Sequence, residues 1–183
     1  MDFSDVKSPN DVLDFMKVNI KYGWLDIMNK EHIGNMYKFR ACYRTSSLDE
    51  VLEHKIGSCI EQTYLIKYLL DSIGISSRMF CIRMYEDDNN ISYFDVFMHC
   101  FILYSLNNKV YHIENCNLTK LGIYEFDSYE EAINSISKYF IMLSEGRWST
   151  VTEFFDLPYG MTFRELNNYM NNLDKNKVKV RKR

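Results

Sequence analysis

Proline and glycine are scarce in this chain, which argues against a disordered protein. Its 183 residues include two Pro and seven Gly, whereas 46% are hydrophobic and 15% are aromatic. Such a composition is typical of an ordered globular chain that buries a core. The length suits one ordinary domain and is short for two. We expect a single domain over residues 1–174, followed by a tail over residues 175–183.

Paired cysteines and long apolar runs are also lacking. The five cysteines are odd in number and form no CxxC pair, which predicts free thiols in a reducing compartment. The acidic start, Met1 to Asp5, has no apolar segment typical of a signal peptide, and no run approaches the length of a membrane span. The sequence therefore predicts a cytoplasmic protein without a membrane partner.

No excess of positive charge marks the chain as a whole. The net charge is −3, but residues 175–183 carry six Lys or Arg and no acid, so the remainder carries −3 − 6 = −9. A short basic end of this kind is usually solvated and poorly ordered. We expect an unstructured tail and no nucleic-acid partner.

The sequence also lacks a clear motif for binding phosphate or a metal ion. There is no glycine-rich phosphate loop and no GxSxG motif. His112 and Cys116 are four residues apart and Cys100 adjoins His99, but neighbours on a strand face opposite sides of a sheet. We therefore expect no metal site and no cofactor.

A glycine-containing turn delivers one cysteine to the start of an apolar helix. Gly57 and Ser58 precede Cys59, Ser58 is a suitable N-cap, and Gly74 is a suitable helix stop. The apolar residues between them recur at helical spacing: Leu65, Ile66, Leu69, Leu70 and Ile73. In the first turn, Cys59 would face the positive end of the helix, which favours the thiolate. Cys59 is thus a candidate nucleophile, although most free cysteines are small core residues.

A histidine interrupts the apolar strand predicted from Phe94 to Leu106. His99 is either a core histidine bonded to a carbonyl or a general base that faces Cys59. If Asn107 and Asn108 form a two-residue hairpin turn, cross-strand partners sum to 215, and Glu114 lies diagonal to His99 on the same face. A carboxylate there would orient the imidazole.

Capping signals and period-two patterns predict the other elements. Helices are expected after Ser8, Ser47, Ser128 and Thr162, and strands over 78–85, 109–115, 122–126 and 150–155. Glu86 to Asn90 is expected to be a turn, and Tyr22 to Arg44 to be irregular. Trp24 and Tyr43 in that irregular stretch are candidate substrate-binding residues, although packing is the commoner role for aromatic side chains in such a stretch.

This order of residues resembles the transglutaminase-like superfamily of papain-like cysteine enzymes. The resemblance covers roughly Leu48 to Glu114 and rests on Gly57-Ser58-Cys59, the helix that ends at Gly74, the strand that carries His99, and Glu114 fifteen residues after His99. It is closest to small bacterial members with Glu as the third residue. Two features depart from the pattern of this superfamily. Glu114 takes the place of the common Asp, and the aromatic residue that usually follows His directly is displaced to Phe101.

The resemblance implies an α+β fold in which a central Cys-bearing helix packs on an antiparallel sheet. It also implies thiol-dependent amide chemistry, of the protease, deamidase or transamidase type, on a protein or peptide amide through Cys59, His99 and Glu114. The alternatives are a catalytically inactive fold that binds a peptide or protein, and a protein without a ligand whose aromatics only form the core.

Overall fold

The computed structural model describes residues 3–85, 97–173 and 178–181. The helices are α1 (Pro9–Asn19), α2 (Phe39–Cys42), α3 (Leu48–His54), α4 (Cys59–Ser72), α5 (Tyr129–Leu143) and α6 (Phe163–Asn172). The strands are β1 (Lys21–Asp26), β2 (Glu31–Ile33), β3 (Tyr43–Arg44), β4 (Ile56–Gly57), β5 (Ser77–Tyr85), β6 (Phe97–Leu106), β7 (Lys109–Glu114), β8 (Gly122–Phe126), β9 (Trp148–Phe154) and β10 (Val178–Arg181). None of the helices in these ranges has the length and apolar character needed to cross a bilayer.

The main sheet is antiparallel and has the strand order β10-β9-β5-β6-β7-β8. The hairpin between β6 and β7 has the predicted register, since Leu106 pairs with Lys109 and Ile102 with Ile113. Asn107 and Asn108 both have positive φ, at 51° and 61°, as a two-residue turn of this type requires. The sequence-derived sum of 215 is therefore confirmed for the pairs that β6 and β7 form.

Both faces of this sheet are covered, which explains why β5 and β6 are apolar on both sides. One face packs against α4, α1 and α6 through residues such as Met79, Cys100 and Ile102. The other packs against α5 through residues such as Phe80, Phe101 and Leu103. This arrangement confirms the predicted α+β class, with the Cys-bearing helix packed on an antiparallel sheet.

The predicted irregular stretch from Tyr22 to Arg44 is instead built around a second, smaller sheet. β1 pairs antiparallel with β2 and β3, and parallel with the two-residue strand β4. The strands β2, β3 and β4 are too short for an alternating pattern to reveal them, and the buried residues of β1 are consecutive and do not alternate. The second sheet bears on function because its strand β4 ends two residues before Cys59.

Part of the basic tail is also a strand, so the expectation of an unstructured tail is wrong for residues 178–181. There, β10 pairs antiparallel with β9, with Val178 opposite Val151 and Arg181 opposite Trp148. Backbone pairing does not depend on side-chain hydrophobicity, which is why composition gave no hint of it. The turn predicted over Glu86 to Asn90 and the first residues of the strand predicted from Phe94 lie outside the described residues.

Candidate active site

Cys59 is the first residue of α4, as the capping pattern predicted. Glu61, at the third helical position, accepts hydrogen bonds from the backbone N–H and the hydroxyl of Ser58. The Gln62 side chain donates to the Gly57 carbonyl oxygen at 2.8 Å and so ties the helix to the turn before it. Gly57 itself passes close to the helix, because a Cβ atom there would lie 3.2 Å from the Glu61 Cβ. The start of α4 is thereby fixed in position.

His99 and Glu114 are held together on the hairpin. His99 Nε2 lies 3.1 Å from Glu114 Oε2, and both residues are buried. The other carboxylate oxygen of Glu114 accepts from the backbone N–H groups of Cys116 and Asn117, at 2.8 and 3.0 Å. An ionised carboxylate only accepts hydrogen bonds, so Nε2 carries the proton and Nδ1 is the ring nitrogen left for another partner.

That partner is Cys59, whose thiol and the His99 ring form a hydrogen bond. Cys59 also lies near the side chain and the backbone N–H of Cys100, and both favour its thiolate. Beyond the last β6–β7 pair, at Ile102 and Ile113, the edge of β6 is open to the start of α4. Cys59 meets β6 along this edge, which is how it contacts two successive strand residues.

The electrostatics of the cluster favour a thiolate and an imidazolium. The hydrogen bond from Cys100, together with the hydrogen bond and charge of His99, outweighs burial and holds the pKa of Cys59 well below its usual range. Burial opposes the charge of His99, but hydrogen bonds to Cys59 and Glu114 raise its pKa to about 10. Burial likewise opposes ionisation of Glu114, yet the hydrogen bond and charge of His99 lower its pKa to about 2. Near neutral pH the three groups are therefore charged as a thiolate, an imidazolium and a carboxylate.

Two further residues surround the imidazole from the α5 side of the sheet. The Phe140 ring stacks on His99, with 3.9 Å between the ring centroids. His112 lies near the same carboxylate, 3.8 Å from Glu114 Oε2, and burial lowers its pKa to about 4. His112 is thus neutral when His99 is charged, and the two histidines do not compete for the carboxylate as cations.

A cavity of about 480 Å³ opens beside Cys59. Most of its walls are apolar or aromatic side chains. They come from the second sheet, the loop before α2, α2, α4, α6 and the start of β6: Tyr22, Met36, Phe39, Tyr43, Ile60, Phe97, Met98, Phe163 and Leu166. Space of this size accommodates a small acyl group or one side chain of a peptide.

The two predicted substrate-binding residues differ in their placement. Tyr43 lines the cavity, but its hydroxyl is occupied by Glu61 Oε1 at 2.5 Å. Trp24 does not line the cavity; it is 1% exposed, stacks on His32 and donates to the carbonyl oxygen of Asn35. Substrate contact by Trp24 therefore has no support in this cavity, and the structure gives the residue a packing role.

The sequence did not reveal the link between the Cys59 helix and the strand of Glu114. Asn115 Nδ2 donates to Gln62 Oε1 at 2.7 Å, and both side chains are buried. Gln62 thus has its amide nitrogen on Gly57 and its amide oxygen on Asn115. The polar residues Gln62 and Asn115 do follow Cys59 and Glu114 closely in otherwise apolar elements. No local sequence pattern, however, shows that these two side chains pair with each other.

Among the solved structures that are similar to this chain are two arylamine N-acetyltransferases. One is an arylamine N-acetyltransferase from Bacillus cereus described as having a unique Cys-His-Glu catalytic triad; it is 16% identical over 62% of this chain, with a TM-score of 0.37. The other is arylamine N-acetyltransferase C from Bacillus anthracis, 14% identical, with a TM-score of 0.33 and coverage of 100% of this chain and 86% of its own.

This chain spans 41% of the length of the Bacillus cereus enzyme. No protein-family model matches the chain, and no curated protein matches it.

Proposed function

We propose that this protein is an enzyme that performs thiol-dependent acyl chemistry through Cys59, His99 and Glu114. The observation that carries the proposal is the continuous contact from the Cys59 thiol to the His99 ring and from that ring to Glu114. A nucleophile, a base and an orienting group in this order form the general pattern of a covalent catalytic triad. The same order was expected from the resemblance to transglutaminase-like enzymes.

In the reaction, the Cys59 thiolate attacks a carbonyl carbon of the acyl donor. A carbon–sulfur bond forms and the carbonyl π electrons move to the oxygen; when the carbonyl re-forms, the leaving group departs with a proton from His99. The product is a thioester on Cys59. Water or an amine then attacks this thioester, with neutral His99 taking the proton, so that hydrolysis or acyl transfer to an amine follows.

The acyl donor of this proposal is a carboxamide or peptide carbonyl of a protein or peptide. The apolar cavity beside Cys59 supports this choice because it would take the side chain that precedes the scissile carbonyl. An inactive fold that uses the same cavity to bind a peptide is the second candidate, and the reactivity of Cys59 separates the two.

The test is alkylation by iodoacetamide between about pH 5 and pH 9, with peptide mapping of all five cysteines. We expect Cys59 to be labelled selectively at about pH 6, because a thiolate–imidazolium pair keeps a thiol ionised far below its ordinary pKa near 8.5. His99→Ala should reduce the rate at that pH about tenfold or more, because the thiolate loses its counter-ion.

His54→Ala is the matched control, since His54 bonds Glu31 at the surface, away from the site. It should leave the labelling profile of Cys59 unchanged. If wild-type Cys59 follows the pH profile of an ordinary thiol, the enzyme proposal fails and the binding module takes its place.

A further inference from the structure

Chain topology places Tyr22 and Cys59 on the wall of the same cavity. β1 and β4 are parallel neighbours, and their register places Tyr22 directly opposite Gly57. Cys59 follows Gly57 by two residues, and the Tyr22 and Cys59 side chains line the same cavity. The second sheet, which the sequence did not predict, thus brings an aromatic hydroxyl to the start of α4.

Tyr22 differs from two polar neighbours of Cys59, Tyr43 and Gln62, because its hydroxyl is uncommitted. Within the described residues, the Tyr22 hydroxyl makes no hydrogen bond, whereas its backbone carbonyl accepts from Gly34. The other candidates are occupied: the Tyr43 hydroxyl donates to Glu61, and the Gln62 amide donates to Gly57. A hydroxyl in an apolar cavity without a partner is available to a ligand.

The protonation state of Tyr22 suits a donor. Burial, followed by the negative charge of Cys59, raises its pKa above the ordinary value of 10.0. The phenol therefore keeps its proton in the neutral range in which Cys59 is a thiolate, and it can donate a hydrogen bond to an anion that forms next to the sulfur.

We infer that Tyr22 is a catalytic residue that donates a hydrogen bond to the carbonyl oxygen as it becomes an oxyanion. This inference rests on the proposed function. When the Cys59 sulfur bonds to the carbonyl carbon, the π electron pair moves to the oxygen, which then needs donors positioned in advance. The backbone N–H of Cys59, in the first turn of α4, is one donor because helix starts leave such groups without intrahelical partners. The Tyr22 hydroxyl is the second.

Two reagents that attack the same sulfur by different routes test this role. p-Nitrophenyl acetate acylates Cys59 through a tetrahedral oxyanion, whereas iodoacetamide alkylates it by displacement at a saturated carbon without an oxyanion. We expect Tyr22→Phe to lower the rate of acylation about 100-fold, the effect typical of the loss of one oxyanion donor. The rate of alkylation should change less than about threefold, because the thiolate and His99 are untouched.

Tyr68→Phe is the matched control, since Tyr68 is an exposed tyrosine on the outer side of α4. It should leave both rates at the wild-type value. If Tyr22→Phe acylates as fast as wild type, or if acylation and alkylation fall by the same factor, the role in oxyanion stabilisation is wrong. If wild-type Cys59 reacts selectively with neither reagent, the proposed function itself fails, and this result is distinct from the other two.

Discussion

Cys59 contacts both His99 and Cys100, although successive residues of a strand face opposite sides of a sheet. The contacts arise because Cys59 lies against the edge of β6, where the β6–β7 pairs have ended, and takes the backbone N–H of Cys100 as a donor. The sequence predicted His99 and Glu114 from alternation and the hairpin turn. It could not predict Cys100, since alternation places that residue on the other face.

Cys100 gives a first prediction at the scale of single residues. Its thiol hydrogen bond is the largest influence that lowers the pKa of Cys59. Cys100→Ala should therefore shift the alkylation profile of Cys59 to higher pH by about one unit, the equivalent of one hydrogen bond of about 1.4 kcal/mol. Cys100→Ser keeps a donor of similar size and should keep the low profile.

Cys81→Ala is the control for that series, because Cys81 bonds Cys100 and not Cys59. We expect the labelling profile of Cys59 in the Cys81→Ala variant to stay close to that of wild type. A Cys100→Ala profile identical to wild type would show that His99 alone sets the reactivity of Cys59.

Glu114 gives a second prediction, on stability in acid. Its pKa is lowered from 4.5 to about 2 in the folded protein, so the unfolded chain binds more protons between these values. The contribution of Glu114 is thus complete above about pH 4.5 and is lost as the pH falls towards 2. At about 1.4 kcal/mol per unit, the loss amounts to about 3 kcal/mol.

Urea unfolding between about pH 5 and pH 2 measures this contribution. The difference in free energy of unfolding between wild type and Glu114→Gln should shrink across that range, because Gln cannot ionise. Glu130→Gln, at an exposed position of α5, is the control and should run parallel to wild type. A constant difference between wild type and Glu114→Gln would mean that the carboxylate is not held ionised by His99.

At the scale of elements, local signals account for what could be predicted. Ser8, Ser47 and Thr162 accept from the backbone N–H groups of the first turns, and α1, α3 and α6 begin where these caps predicted. The strands β2, β3 and β4 have two or three residues each, too few for periodicity to appear. Their positions are set by pairing with β1, which is information that no local window contains.

The hairpin that holds His99 beside Glu114 depends on two asparagines. Both have positive φ, a conformation that costs most side chains about 1–2 kcal/mol but suits Asn and Gly. Asn108→Ala should therefore lower the free energy of unfolding by about 1–2 kcal/mol, measured by urea denaturation. Asn108→Gly is the matched variant and should retain or exceed wild-type stability. Equal losses in both variants would point to a side-chain contact of Asn108 instead of its backbone conformation.

At the scale of the whole molecule, the site lies where three parts of the fold meet. The helix α4 supplies Cys59, the main sheet supplies His99 and Glu114, and the second sheet and α6 supply walls of the cavity. The sequence predicted the first two parts, because they rest on a cap, a turn and a strand pattern. The third part depends on tertiary strand pairing, which the sequence does not show. The position of Tyr22 near Cys59 therefore could not be predicted.

The basic tail can contribute to stability through its charge or through the backbone pairing of β10 with β9. Residues 175–183 carry six positive charges against −9 on the remainder, and β10 covers β9 through four backbone pairs. Deletion of residues 178–183 would leave β9 as an exposed edge strand. We expect this deletion to lower the melting temperature by about 4–8 °C, which corresponds to about 2 kcal/mol for a chain of this length.

Deletion of residues 182–183 alone separates pairing from charge, since it removes two positive charges and keeps β10 intact. It should lower the melting temperature by less than about 2 °C. The shorter deletion should also leave the protein monodisperse in light scattering, whereas an uncovered β9 favours association between chains. If the two deletions lower the melting temperature by the same amount, the pairing of β10 with β9 adds nothing to the stability of the fold.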